Sequence, residues 1–225
     1  MNDISYRLAT KDDVSSIMGL YQKTRRTSET DTLFLDYHQL KAVVLSDTSI
    51  WMLAERLGRT IAVVSALIDR EQRLCKIMRL MADPEISEIT GTLRAALKNF
   101  LAHLDNAVKD IEIIYTTTFS ISLDQQEITL AEGFKIMGVF PNALGADNSK
   151  LNGLTVRYAD GVINGKRCDD FALHKSIQPF FAICREQIPL PELKEPDPVE
   201  IMGQLGYEPM PLLELIRAPL LIERR

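Results

Sequence analysis

Three apolar segments that follow one another with only short turns between them constrain the fold most. They are Ser49–Arg56, Thr60–Ile68 and Leu74–Met81. The first two are separated by Gly58-Arg59, which is a hairpin signature, and β-branched residues fill the second segment. A polar turn, Asp69–Arg73, leads into the third segment. The sequence therefore predicts three consecutive antiparallel strands.

An amphipathic helix follows the third of these strands. The stretch Leu80–Leu101 contains the end of the strand, an acidic turn at Asp83–Glu85, a glycine at Gly91 and most of the helix. Its apolar residues recur at three-and-four spacing, at Leu93, Ala96, Leu97, Phe100, Leu101 and Leu104. A helix that begins near a glycine after a short turn presents unpaired N–H groups and the positive end of its dipole. This stretch is the predicted ligand site, and a phosphate group is the ligand that suits it.

Helices and strands alternate through the rest of the first 145 residues. Before the three strands we predict a strand at Ser5–Ala9, a helix capped by Thr10 and a second helix within Phe34–Leu45. After the long helix we predict a strand, a helix and a strand, at Ile111–Thr117, Leu123–Glu132 and Lys135–Phe140. The first of these should lie parallel to its predecessor because a helix intervenes. The expected fold class is α+β.

The last part of the chain, after residue 145, has a different pattern of predicted elements. Leu154–Val162 fits a further strand and Ser176–Ile188 fits a helix, whereas the apolar stretch Leu212–Ile222 is too hydrophobic to remain exposed. We therefore expect a core domain over residues 1–145. The extension over residues 146–225 should pack on that core or on a second subunit.

Composition and charge exclude several classes of protein. The net charge of −5, with no run of more than two basic residues, argues against a nucleic-acid-binding protein. The longest apolar run, Ile61–Ile68, is far shorter than the ~20 residues that span a membrane, and the start lacks the layout of a signal peptide. Three scattered cysteines favour a reducing cytoplasm, and the histidines show no metal-ligand spacing. We expect neither a membrane protein nor a metal site.

Three motifs, in this element order, resemble the GNAT acyltransferase superfamily over roughly residues 4–145. They are the first strand and helix at Tyr6–Ile17, the hairpin Ala54–Ala62, and the helix Ser122–Phe134 that ends in Leu-Ala-Glu-Gly-Phe. The resemblance implies a central mixed sheet, mostly antiparallel, that is flanked by helices. It also implies N-acyl transfer from acetyl-CoA or another acyl-CoA to an amine on a small molecule or a peptide. A homodimer is compatible with the extension, whose apolar end is expected to pack on the core or on a second subunit.

The resemblance places the pyrophosphate of acyl-CoA at the start of the long helix. The family's Arg/Gln-x-x-Gly-x-Gly/Ala turn aligns with Glu88–Leu93, which points to Thr90, Gly91, Thr92 and Leu93 as cofactor-binding residues. Only Gly91 matches the pattern, because Glu88 replaces a basic or amide side chain and Leu93 replaces a very small residue. The preceding strand, at Leu80, Met81 and Ala82, should pair with the pantetheine amides.

The resemblance also suggests acid–base residues. Thr129 occupies the place of the tyrosine that protonates the leaving thiolate, although it also fits a core or capping residue. Ser122 stands where a residue near the pantetheine arm is usual, and it equally fits an N-cap. Glu55 is the candidate general base, with a solvated strand glutamate as the alternative.

Three functions are compatible with these residues. The first is an acyl-CoA-dependent N-acyltransferase. The second is a catalytically inactive module for binding, regulation or dimerisation, which Glu88, Leu93 and Thr129 motivate. The third replaces CoA by an acyl-carrier protein, which predicts a basic surface beside the cleft. All three depend on main-chain amides near Thr90–Thr92 that face an opening between two strands.

Overall fold

A computed structural model describes residues 4–24, 32–108, 110–119, 123–141, 151–165 and 173–188. Ser122 and the apolar stretch Leu212–Ile222 lie outside these residues. Two compact units divide the chain, Met1–Gly165 and Lys166–Arg225. In the second unit the structure contains α6, Gln178–Gln187, within the helix predicted at Ser176–Ile188. None of the helices in the described ranges is long and apolar enough to cross a membrane.

Seven strands of the first unit form one sheet, in the order β1-β2-β3-β4-β5-β7-β6. The strands are β1 Ile4–Leu8, β2 Ser49–Arg56, β3 Arg59–Asp69, β4 Leu74–Ala82, β5 Ile113–Phe119, β6 Lys135–Pro141 and β7 Leu151–Tyr158. Within the described residues β4 and β5 are the one parallel pair, and the other neighbours are antiparallel. The predicted α+β class, with its mostly antiparallel mixed sheet, is confirmed.

Helices cover both faces of this sheet. The described helices of the first unit are α1 Val14–Thr24, α2 Tyr37–Val44, α3 Ile89–Ala107, α4 Leu123–Ala131 and the short α5 Val162–Gly165. Successive residues of a strand point to opposite faces, and β2 shows which helices lie on each. Met52 and Ala54 pack in the cluster that contains α3, whereas Trp51 and Leu53 pack with α1 and α2. We call these two sides the α3 face and the α1–α2 face.

The first compact unit extends beyond the domain boundary expected at residue 145. Strand β7 lies between β5 and β6, so the sheet is complete only with residues that follow that boundary. The unit ends at Gly165. The difference arises because β6 pairs with β7 and not with β5, which chain order alone does not indicate.

An ion-pair network joins the first two strands to the start of α1. Arg7 donates from Nη2 to Asp13 Oδ1 at 2.6 Å and to Glu55 Oε1 at 2.6 Å. Asp13 also accepts hydrogen bonds from the amide and hydroxyl of Thr10, which forms the predicted helix cap. The Arg7 guanidinium lowers the pKa of the Asp13 carboxyl far below its usual range, and the Thr10 bonds contribute against the opposing effect of burial.

Acid should weaken the fold through Asp13. A carboxyl whose pKa is lowered by folding stabilises the native state fully above its unfolded pKa of about 3.9. That stabilisation is lost as the pH falls below this value towards the lowered pKa. We expect the free energy of unfolding in urea to fall steeply below about pH 4, and Asp13→Asn to make the decline shallower. Asp12→Asn, at the exposed neighbour, is the control; equal pH profiles for the two variants would contradict this assignment.

Candidate functional site

Strands β4 and β5 separate halfway along their length. Their parallel pairing begins at Leu74 and Ile113 and ends at Ile77 and Thr116. Beyond that point β4 continues to pair with β3 as far as Ala82, and β5 continues to pair with β7. Within the described part of the chain, the main chain of residues 78–82 therefore has no strand neighbour on its β5 side. We call this opening the β4–β5 split.

A β-bulge bends β4 where the split begins. Arg79 pairs with Ser65 and Ile77 with Ala66, so Met78 is an extra residue between them. A bulge of this kind bends its strand and increases the local twist, and it lies where the pairing of β4 with β5 ends. At the last pair, Thr116 Oγ1 donates to the carbonyl oxygen of Ile77 at 3.3 Å. The bulge and this hydrogen bond fix the apex of the split.

The split widens towards the first turn of α3. Strand β4 ends at Ala82 and the helix begins at Ile89, so the loop between them lies at the open end. The Thr92 amide donates to the Glu88 carbonyl at 2.9 Å, inside the helix. The amides of Thr90 and Gly91 bond to no described residue, and the N-cap residue Glu88 makes no side-chain capping hydrogen bond. These free donors and the positive end of the dipole remain for an anion.

The Glu88 carboxylate lies next to these free amides. Its Oε2 would be 3.9 Å from a Cβ atom placed on Gly91, so the side chain folds over the first turn of α3. The carboxylate makes no capping hydrogen bond there. It is an exposed anion at the place where a phosphate would bind. This position is electrostatically favourable for Glu88 itself and unfavourable for a second anion.

A buried aspartate anchors the loop that leads into α3. Asp83 is 1% exposed, and it accepts hydrogen bonds from the Glu85 amide, from Lys23 at 3.2 Å and from Arg59. Burial alone raises the pKa of Asp83, but the bonds from Glu85, Lys23 and Arg59 outweigh it and hold the pKa below its usual value. The exposed Glu85 carboxylate contacts the same two cations. Asp83 thereby ties the end of β4 to α1 and β3.

The predicted cofactor-binding residues lie around the split. Leu80, Met81 and Ala82 belong to the part of β4 that has no partner on its β5 side. Thr90 and Gly91 supply the free amides. In contrast, Thr92 is buried and its amide is used within α3, and Leu93 packs partly against the core of the α3 face. The structure thus brings the predicted strand and helix start together.

The two predicted acid–base residues have their polar atoms engaged elsewhere. Glu55 lies on β2 and accepts hydrogen bonds from Arg7 at both carboxylate oxygens. Thr129 is 3% exposed, and its hydroxyl donates to the carbonyl oxygens of Gln125 and Gln126 in its own helix. The hydroxyl proton of Thr129 is therefore held within α4, by carbonyl oxygens three and four residues earlier in the same helix.

Two features of the site were not anticipated from the sequence. The bulge at Met78 leaves no compositional trace, since Met78-Arg79-Leu80 resembles any strand interior. The anchoring role of Asp83 depends on Lys23 and Arg59, which lie far away in the sequence. The one local signal was the Asp-Pro pair that directly follows an apolar strand. No group of three or more possible metal ligands occurs among the described residues.

A mostly antiparallel sheet whose one parallel pair splits beside a helix start is the architecture of the GNAT acetyltransferases, and comparison with solved structures shows this fold. Ribosomal-protein-S5-alanine acetyltransferase from Vibrio fischeri superposes with a TM-score of 0.58 at 13% identity, covering 72% of this chain and 96% of that one. The ribosomal L7/L12 α-N-protein acetyltransferase RimL, in complex with coenzyme A, gives 0.59 at 14% identity, covering 71% and 96%. A mutant form of spermidine/spermine N-acetyltransferase SpeG from Vibrio cholerae gives 0.56 at 13%, covering 73% and 100%.

Sequence comparisons add no closer relative. No protein-family model matches the sequence. No curated protein matches it either. The resemblance to GNAT proteins is thus confirmed at the level of the fold.

Proposed function

We propose that the protein is an acyl-CoA-dependent N-acyltransferase. The observation that carries the proposal is the β4–β5 split, which opens towards two unbonded amides at the start of α3. A strand edge without a neighbour offers main-chain hydrogen bonds to an extended chain that contains amides. The solved structure of RimL with coenzyme A, which shares the fold, gives additional support.

The chain's own residues would hold the donor at three places. The amides of Thr90 and Gly91 would bind the diphosphate, as helix starts commonly do. The main chain of residues 78–82 would bind the pantetheine amides along the edge of β4. Glu88 is the residue that does not fit, because its carboxylate lies beside the diphosphate position. The donor supplies an activated thioester carbonyl.

For the transfer itself the split can supply orientation and polarisation. An N–H group on the free edge of β4 would donate to the carbonyl oxygen as negative charge develops there. Holding the amine and the carbonyl in contact lowers the entropic part of the barrier. A thiol has a pKa of about 8.5, so the thiolate leaves readily as the C–N bond forms, and it can take up the proton that the amine loses. This chemistry therefore requires little of Thr129, whose hydroxyl is bonded within α4.

Replacing Gly91 by alanine should raise the stability of the protein and weaken its binding of CoA. Gly91 has no positive φ, and a Cβ atom there would meet no atom closer than 3.9 Å. Gly91→Ala should therefore stabilise the helix by up to about 0.5–1 kcal/mol. Because Cβ atoms of a helix tilt towards its N-terminus, the methyl group would project at the diphosphate position. We expect CoA to bind about tenfold more weakly, measured by isothermal titration calorimetry, since a small displacement of a phosphate weakens several hydrogen bonds together.

The matched control is Gly19→Ala in α1. Gly19 also has open space around its Cβ position, so this variant should gain stability with no change in CoA affinity. Wild-type protein that binds neither CoA nor acetyl-CoA would refute the proposal. If the two variants bound CoA with equal affinity, the diphosphate could not bind at the start of α3.

A second candidate is a GNAT-fold module without catalytic activity. The position of the Glu88 carboxylate beside the free amides and the engagement of the Thr129 hydroxyl favour it. Such a module would still use its surfaces for binding, regulation or dimerisation. Measured turnover of an acyl-CoA with any amine from a panel would exclude it.

A further inference from the structure

The two faces of the sheet differ at the apex of the split. On the α3 face, Cys75, Ile77, Ile114 and Thr116 are all buried, with exposures of 0–9%. The residues that alternate with them on β4 and β5 point to the α1–α2 face, and among these Lys76, Tyr115 and Thr117 are only partly buried. Among the described residues, the α1–α2 face is therefore the less buried approach to the apex.

A row of residues crosses the α1–α2 face at this point. Strand pairing aligns Lys76 on β4 with Tyr115 on β5, Tyr115 with Val156 on β7, and Val156 with Lys135 on β6. Val156 is buried and Lys76 and Tyr115 are half-buried, so Lys135 is the exposed end of the row. Three inter-strand spacings separate the two lysines, or roughly 14 Å. We call Lys76, Tyr115, Val156 and Lys135 the lysine row.

The charge of the lysine row is not neutralised by the described part of the chain. Neither Lys76 nor Lys135 has an ion-pair or hydrogen-bond partner among the described residues. Lys135 is exposed. Asp69, in the adjacent row of the same face, accepts from the Gln72 amide in the β3–β4 turn.

We propose that the lysine row selects a peptide acceptor that carries acidic side chains close to its reactive amine. This inference rests on the proposed acyltransferase function, because it assigns the acceptor side of the same split. Two ammonium groups attract carboxylates and repel a polycation, so a polyamine is the wrong acceptor. Their separation of roughly 14 Å matches several residues of an extended chain at about 3.3 Å per residue, and it exceeds the reach of a single small amino acid.

Peptide binding to the full chain tests this inference. Two fluorescent peptides share a free N-terminal amine and differ only in carrying several glutamates or the same number of glutamines. By fluorescence anisotropy the glutamate peptide should bind about three- to tenfold more tightly, with an advantage that shrinks as salt is added. Lys76→Gln combined with Lys135→Gln should remove most of that advantage. The control combines Lys11→Gln with Lys98→Gln, which alters two exposed lysines on other elements and should leave it intact.

The outcomes separate this inference from the function beneath it. Equal affinities for the two peptides, with CoA binding intact, would overturn the acidic acceptor alone. If the two double variants lost the preference for the glutamate peptide equally, the acidic acceptor would also be overturned. The net charge of the protein would then explain the effect. A preference for glutamate in a protein that binds no CoA would overturn the acceptor assignment and the CoA-dependent function together, and would favour an acidic acyl-carrier protein as the partner.

Discussion

Asp83→Asn should lower the free energy of unfolding by about 2 kcal/mol, since hydrogen bonds to buried charged groups contribute about 1.5–3 kcal/mol. The carboxylate is 1% exposed and accepts from the Glu85 amide, Lys23 and Arg59. An amide keeps the shape but loses the charge and one acceptor oxygen. Urea or thermal unfolding should show the loss, as a fall in Tm of about 4–8 °C for a domain of this size.

The neighbouring glutamate provides a control with the same partners. Glu85 also contacts Lys23 and Arg59, but its side chain is 69% exposed. Glu85→Gln should leave the unfolding midpoint unchanged, because exposed ion pairs are screened by solvent and contribute little. If both variants were destabilised equally, the ion pairs themselves and not the burial of Asp83 would anchor the loop.

Glu88→Gln should strengthen CoA binding about five- to tenfold. Two unit charges about 4 Å apart repel by about 1 kcal/mol even in bulk water, and a diphosphate carries more than one charge. The same substitution should slightly weaken the fold, because it removes a favourable anion from the positive end of α3. Affinity and stability are thus expected to change in opposite directions. Calorimetric titration of CoA, with unfolding measured on the same samples, checks both.

Charge removal at a distant site is the control for this effect. Glu71, in the β3–β4 turn, is exposed, and Glu71→Gln changes the net charge by the same amount. It should leave CoA affinity within about twofold at physiological salt, where charges farther apart than about 8 Å are screened. The double variant Glu88→Gln with Leu93→Gly brings both positions back to the residue types of the family pattern. An unchanged affinity in both variants would show that no diphosphate binds near Glu88.

Local patterns predicted most of the fold. The hairpin signature at Gly58-Arg59, the apolar spacing within α3 and the stop at Gly133 each have a cause within a few residues. The last has φ +85, a conformation that glycine adopts without strain. Accordingly β2 begins and ends at the residues predicted for it, Ser49–Arg56.

The site was less predictable because its geometry comes from pairing between distant segments. The split exists because β4 and β5 stop pairing at Ile77 and Thr116, which are separated by the whole of α3. Glu55 was a reasonable candidate base by residue type, but Arg7 occupies both of its carboxylate oxygens. A candidate residue can be chosen by type from the sequence, whereas its availability depends on partners that only the folded chain supplies.

The strand order also bears on how the chain can fold while it is being synthesised. Strand β6 leaves the ribosome before β7, yet in the sheet it pairs with β7 alone among the described strands. Until residue 158 has emerged, both the outer edge of β5 and the whole of β6 lack their final neighbours. Such unpaired edges invite association with other chains. A nascent chain of this protein therefore passes through a stage in which the edges of β5 and β6 are unpaired and open to association. That stage ends when β7 inserts between them.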